Sequence, residues 1–132
     1  MVDRSIVVMG ERFVVRWMRY RNSYPAQQYL NGLGADALKV EARLLVLATR
    51  MAEHGALPDG THGHQLSSPY EEIFEFKPHN HRFMSFSDGR NIYITNGAPK
   101  RNRRSQAGDY KSAEKMRVDF FEKKKHTKGG GK

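Results

Sequence analysis

Apolar residues change rhythm three times along the chain, and each rhythm predicts a different element. Ile6-Val7-Val8-Met9 and Phe13-Val14-Val15-Arg16-Trp17-Met18 are β-branched and aromatic runs interrupted by Gly10-Glu11-Arg12, which predicts a strand near 12–18 with an irregular lead-in. Pro25 is preorganised for a first helical turn, and residues 26–33 read as a short helix closed by the Gly32/Gly34 region. Residues 35–53 carry Val40, Leu44, Leu47, Ala48 and Met51 at helical spacing, with Lys39, Arg43, Arg50 and Glu53 on the other side. Glu41 falls inside the apolar arc. Gly55 supplies the stop, with Pro58 beyond it. The two segments form a helical hairpin able to cover one face of a sheet.

Residues 57–69 turn to Gly, Pro, His, Asp and Ser and read as a loop. The period then becomes alternating. In residues 72–77, Phe74 and Phe76 share one face while Glu75 and Lys77 share the other. A turn at 78–81, a strand over 82–87 and a third over 91–95 follow, the last two joined by Asp88-Gly89, the strongest hairpin signal in the chain. Residues 98–108 cluster Lys100, Arg101, Arg103 and Arg104 without apolar period and are expected as a basic loop. Residues 110–124 turn helical again, with Ala113, Met116, Val118, Phe120 and Phe121 available for packing. The resulting expectation is an α+β fold: an N-terminal strand and helical hairpin packed on a small antiparallel sheet, a three-strand meander, with a C-terminal helix. One domain is expected over 1–126, followed by a flexible Lys/Gly tail over 127–132.

A chain of 132 residues is long enough for one real core and too short for two. It contains no cysteine, which excludes disulfides, thiolate nucleophiles and cysteine-zinc sites together. The longest aliphatic run, residues 44–48, is far short of a membrane span, and Met1-Val2-Asp3-Arg4 has no signal-sequence pattern. A cytoplasmic location without membrane contact is therefore expected. Charge adds more. The net is +9, yet residues 1–78 hold nine basic and nine acidic side chains, whereas residues 79–132 hold fourteen and five. The whole excess sits in the C-terminal two-fifths, the footprint of a polyanionic partner or of a solvated basic tail.

Three stretches, taken in order, resemble the RelE/HigB/ParE toxin superfamily, closest to its phage-derived HigB-like branch, over roughly residues 12–122. Pro25-Ala26-Gln27-Gln28-Tyr29-Leu30 with residues 44–55 is similar to the family's helical hairpin and exit loop. Ile73-Phe74-Glu75-Phe76-Lys77 resembles the branch's first meander strand. Arg82-Phe83-Met84-Ser85-Phe86, Asp88-Gly89, Ile92-Tyr93-Ile94 and a basic stretch reaching Tyr110 complete the series. The resemblance implies the toxin of a type II toxin–antitoxin system: a ribosome-dependent endoribonuclease that cleaves mRNA by 2′-hydroxyl attack on the adjacent phosphate and so inhibits translation. Such chemistry needs two proton transfers and a fixed cation for the charge growing on the phosphate. It requires neither metal nor cofactor, and none is expected.

Carried onto this chain, the resemblance makes Arg82 the strand arginine beside the scissile phosphate, Arg101 (with Lys100 as competitor) the basic position after the last strand, and Tyr110 the C-terminal tyrosine. Arg82 also reads as a plain surface cation and Tyr110 as a packing residue of the last helix. RelE proteins carry lysines where this chain has Ile73 and Glu75, which leaves the general base open among Glu75, His79 and His81. A Glu75–Arg82 cross-strand ion pair that steadies the sheet is the simpler role for that glutamate. Lys77, His79, Lys100, Arg103, Arg104 and Lys111 are the expected RNA-binding residues. The implied partners are mRNA on the ribosome and a cognate antitoxin of helix-turn-helix type.

His62-x-His64 and His79-x-His81 each place two histidines on one face of an extended segment, but no carboxylate set accompanies them, so they read as loop and turn histidines. No Walker A loop, nucleophile elbow or dinucleotide fingerprint occurs. The rival reading is a ParE-like or phage-derived inhibitor that binds a host protein such as DNA gyrase, or nucleic acid, without cutting RNA.

Overall fold

The computed structural model describes residues 3–57, 60 and 62–130, the last five by backbone alone. The Met1-Val2 start, the Pro58 beyond the helix stop and the end of the expected tail, residues 131–132, lie outside the described residues. Ten elements follow in order: β1 (Ile6–Met9), β2 (Val14–Trp17), α1 (Pro25–Asn31), a 3-10 turn (Gly34–Asp36), α2 (Ala37–His54), β3 (Gly63–Gln65), β4 (Phe74–Phe76), β5 (His81–Asp88), β6 (Asn91–Pro99) and α3 (Arg103–Gly130). The fold is α+β, as expected, and no helix among the described residues is long and apolar enough to cross a membrane.

The sheet departs from the expected antiparallel meander with one added strand. It has six strands in the order β1-β2-β6-β5-β4-β3, and β2 runs parallel to β6 while every other neighbour is antiparallel. Two strands are extra. The lead-in forms β1 because Gly10-Glu11-Arg12 is a turn, with the Gly10 N–H donating to Phe13 O at 2.9 Å, so Ile6–Met9 folds back on β2. β3 lies inside the stretch expected as a loop. A three-residue edge strand needs only backbone pairing to β4, so its polar composition does not betray it. The parallel β2–β6 pair follows from the long connection through the hairpin, since parallel neighbours require a crossover.

Both faces of the sheet are covered. On one, α1 and α2 bury Ala26, Leu30, Val40, Leu44, Leu47, Ala48 and Met51 against Val15, Trp17, Phe76, Phe83, Ile92 and Ile94. Each large side chain buried this way contributes about 1.5–3 kcal/mol. Gly55 ends α2 at φ 76°, its N–H donating to Met51 O, while Glu41 is exposed outside the buried stripe. Gly97 lets α1 lie close to β6: a Cβ there would stand 2.6 Å from the Tyr29 ring. On the opposite face, α3 buries Ala113 and Met116 against Met84, Phe86 and Ala98, with Tyr110, Phe120 and Phe121 packed alongside.

The expected basic loop is mostly not a loop. β6 extends to Pro99 and α3 begins at Arg103, so only residues 100–102 connect them. Asn102 accounts for the early start: its Oδ1 accepts the Ser105 N–H at 2.9 Å, capping the first turn. At the other end, helical backbone continues to Gly130, into the segment expected as a tail.

Candidate active site

Strand alternation puts Phe74 and Phe76 on the helical-hairpin side of β4 and Glu75 on the side covered by α3. Register then builds a row across that covered face: His64 pairs with Glu75, Glu75 with Met84, and Met84 with Asn96. The first turns of α3 are tied down over this row. Asn96 Nδ2 donates to Asp109 O at 3.2 Å, Gln106 Nε2 to Pro99 O at 3.3 Å and to Asp109 Oδ2 at 2.8 Å, and Arg101 Nε to Asp109 Oδ2 at 2.9 Å. These bonds fix the position of the next residue, Tyr110.

The centre of the arrangement is a buried carboxylate. Glu75 is 1% exposed, and its Oε1 lies 3.9 Å from Nδ1 of His64. Glu75 Oε2 and His64 Nδ1 are both buried without a hydrogen-bond partner. The Tyr110 hydroxyl acts on the same carboxyl from α3. Burial pushes the Glu75 carboxyl above its ordinary value, against the opposing pull of Tyr110, Arg82 and Lys77. Tyr110 is pushed up as well, by burial and then by the charge of Glu75, so it keeps its proton at neutral pH. His64 is shifted down by burial and then by Lys77 and Arg82, and Lys77 is shifted down by burial.

Arg82 is held by the turn before β5. Its Nη1 donates to His81 O at 2.8 Å and to His79 O at 3.2 Å, and His79 sits at φ 56°, left-handed backbone that turns the carbonyls toward the guanidinium. The simple Glu75–Arg82 ion pair does not form: the register partner of Glu75 is Met84, and Arg82 acts on the carboxyl from two residues along the neighbouring strand.

The other expected residues separate into groups. Glu75, Lys77, Arg82 and Tyr110 are brought together on the α3 side. His81 is not among them. It shares the opposite side with Phe83, where its Nδ1 meets the Tyr29 hydroxyl, because odd-numbered residues at the start of β5 face the helical hairpin. His79 and Lys100 are exposed at that end of the sheet. Arg101 is paired with Asp109, which makes it a tether of α3. Arg103, Arg104 and Lys111 are exposed on the first turns of α3.

A groove of about 380 Å³ opens beside the carboxylate, between the 64–70 segment and α3, lined among others by His64, Ser67, Tyr70, Arg103 and Tyr110. Tyr70 and Tyr110 stand 5.9 Å apart, ring to ring. A larger cavity of about 550 Å³ lies under the other side of the sheet edge, beneath the end of α2, and does not include Arg82 or Tyr110. Among the described residues no group of three His, Cys, Asp or Glu side chains is placed to hold a metal ion. In the sequence His64 reads as a loop histidine, with a metal ligand as the alternative. Its proximity to Glu75 depends on strand β3, whose composition gave no signal. Neither a protein-family model nor a curated protein sequence matches the chain.

Proposed function

We propose that this protein is a RelE/HigB-like toxin of a type II toxin–antitoxin pair and acts as an endoribonuclease on mRNA held in the ribosome. The observation that carries the reading is the buried carboxylate of Glu75 grouped with Tyr110, Arg82 and Lys77 on one face of the sheet. That grouping holds both halves of what transesterification needs: groups that move protons and cations that take up charge. Supporting the reading, β2, the helical hairpin, the strands β4 to β6 and α3 follow one another in the order that the resemblance implies, with β1 and β3 added.

In the proposed reaction, the ribose 2′-oxygen bonds to the adjacent phosphorus and the P–O5′ bond breaks, leaving a 2′,3′-cyclic phosphate and a 5′-hydroxyl. Arg82, anchored through Nη1 to two carbonyls, presents a fixed guanidinium to the phosphate without reorganising. Lys77 adds a second cation on the same face. Glu75 is too buried to touch the message directly, so its influence passes through the Tyr110 hydroxyl and the His64 ring. Lys100, Arg103, Arg104 and Lys111 are exposed and suited to phosphate contacts along the message. An antitoxin is the implied protein partner.

Expression in bacterial cells tests this. Translation should arrest, and mapped message ends should cluster within codons. Arg82→Ala and Tyr110→Phe should each lower cleavage by about 100-fold or more while leaving the fold intact. Intact messages together with DNA breaks or supercoiling defects would replace the nuclease reading with the ParE-like one.

A further inference from the structure

We propose that His64 is the catalytic proton acceptor of this site, with Glu75 behind it as the residue that orients its ring. The inference rests on the nuclease reading above and adds a residue to it. Four observations carry it. The two residues are register partners on adjacent strands, so the backbone pairing of β3 and β4 fixes their approach. Nδ1 of His64 lies 3.9 Å from Glu75 Oε1, and it and Glu75 Oε2 are buried with no hydrogen-bond partner. The His64 side chain as a whole is 41% exposed although Nδ1 is buried, so its accessible part is the rest of the ring, which carries Nε2. That ring forms part of the wall of the groove shared with Tyr110, Tyr70 and Arg103.

A buried carboxylate next to one ring nitrogen selects the tautomer with the proton on Nδ1 and leaves Nε2 as a base. The present separation is about 1 Å longer than a hydrogen bond, and such contacts tighten when substrate fills the site. The groups facing His64 are Glu75 on β4 and Lys77 just beyond it, Arg82 on β5, and Tyr110 and Arg103 on α3, while Glu71 and Glu72 share with it the larger cavity on its other side. Burial, Lys77 and Arg82 all favour the neutral imidazole, the form that accepts a proton. Nε2 takes the proton of the 2′-hydroxyl, O2′ bonds to phosphorus, the P–O5′ bond breaks, and O5′ takes a proton from water. Arg103 at the groove wall is placed for a neighbouring phosphate, and the Tyr70–Tyr110 pair for a base.

Two measurements on the full chain test the proposal. Nitrogen-15 NMR of the histidine ring should show His64 with the proton on Nδ1 at neutral pH, and Glu75→Gln should shift it toward the other tautomer. A proton on Nε2 in the wild type, or no response to Glu75→Gln, overturns the orienting role. In a translating extract, His64→Gln should lower message cleavage by about 100-fold or more, leave ribosome binding unchanged and remove the acid limb of the pH–rate profile. Wild-type cleavage matched by His64→Gln overturns the proposal and leaves the nuclease reading standing. Failure of the wild type to cleave any message overturns the nuclease reading and the His64 step with it, while the tautomer result still decides whether the pair exists.

Discussion

The hydroxyl of Tyr29, on α1, and Nδ1 of His81, at the start of β5, meet at 2.5 Å across the helical-hairpin side of the sheet. Burial raises the tyrosine above its ordinary value and lowers the histidine below its own, so Tyr29 donates to a neutral His81. The sign for stability follows. Below the unfolded value of 6.5 the unfolded chain binds a proton that folded His81 resists, so stability falls as pH drops through 6.5 and on to the folded value. His64 is shifted in the same direction and adds to the slope. His81→Gln should therefore make urea midpoints depend less on pH between about 7.5 and 5. Equal slopes in the two proteins would remove His81 from the account.

Glu75 has the opposite sign. Its folded value lies above 4.5, so the folded chain holds the proton more tightly and stability falls as pH rises from 4.5 through the folded value. At neutral pH the carboxylate is a cost to the fold, since burial outweighs the attraction of Tyr110, Arg82 and Lys77. Glu75→Gln, neutral and nearly isosteric, should raise stability at pH 7 by about 1 kcal/mol while cleavage collapses. Denaturant melts paired with a cleavage assay test both halves. A variant less stable than the wild type at neutral pH would mean that the ionised carboxylate holds the site together.

The contrast between Glu75 and its surroundings shows what the sequence discloses. Val40, Leu44, Leu47, Ala48 and Met51 repeat at 3.6-residue spacing and all are buried in α2. Asp88-Gly89 marks a hairpin that closes with Gly89 at φ 60° and Asp88 paired to Asn91. These signals are local. The alternation of Phe74, Glu75, Phe76 and Lys77 is equally local, but it divides the strand into two faces without saying that α3 covers the second. Hence Glu75 reads as a candidate base or a cross-strand partner of Arg82, with nothing to mark it as buried, and is found buried on the α3 side. β3 is a polar edge strand recognised only through its pairing, and His64 entered the site with it. His81 failed to join for a reason of parity, facing Tyr29 while Arg82 faces the carboxylate.

Asn102 controls how the basic residues are presented. Its Oδ1 caps Ser105, and the Gln106 N–H donates to its carbonyl at 2.9 Å. The turn carrying Arg103 and Arg104 depends on that cap. Asn102→Ala should cost about 1 kcal/mol, whereas Asn102→Asp should retain the cap. Hydrogen exchange should speed up over the first turn of α3 in the alanine variant alone. Exchange confined to the end of α3 near Lys125 would show that the cap is unimportant.

The cations of this half of the chain separate into those tied to carboxylates and those left exposed. Arg101 is committed to Asp109, and Lys124 bonds Asp88 at the far end of α3. Lys100, Arg103 and Arg104 lie exposed around the connection between β6 and α3. Each single-strand phosphate neutralised contributes about 0.7 to the slope of log affinity against log salt. Replacing Lys100, Arg103 and Arg104 together by Gln should thus lower that slope by about 2 for a single-stranded RNA oligonucleotide, read by fluorescence anisotropy. Arg101→Gln should instead release Asp109 and act mainly on stability, because that arginine holds α3 over the carboxylate. A triple variant with an unchanged slope would sink the phosphate role and turn the basic surface toward an acidic protein partner. Equal slope losses from Arg101→Gln and from each exposed cation would mean that the Asp109 tether opens when RNA binds.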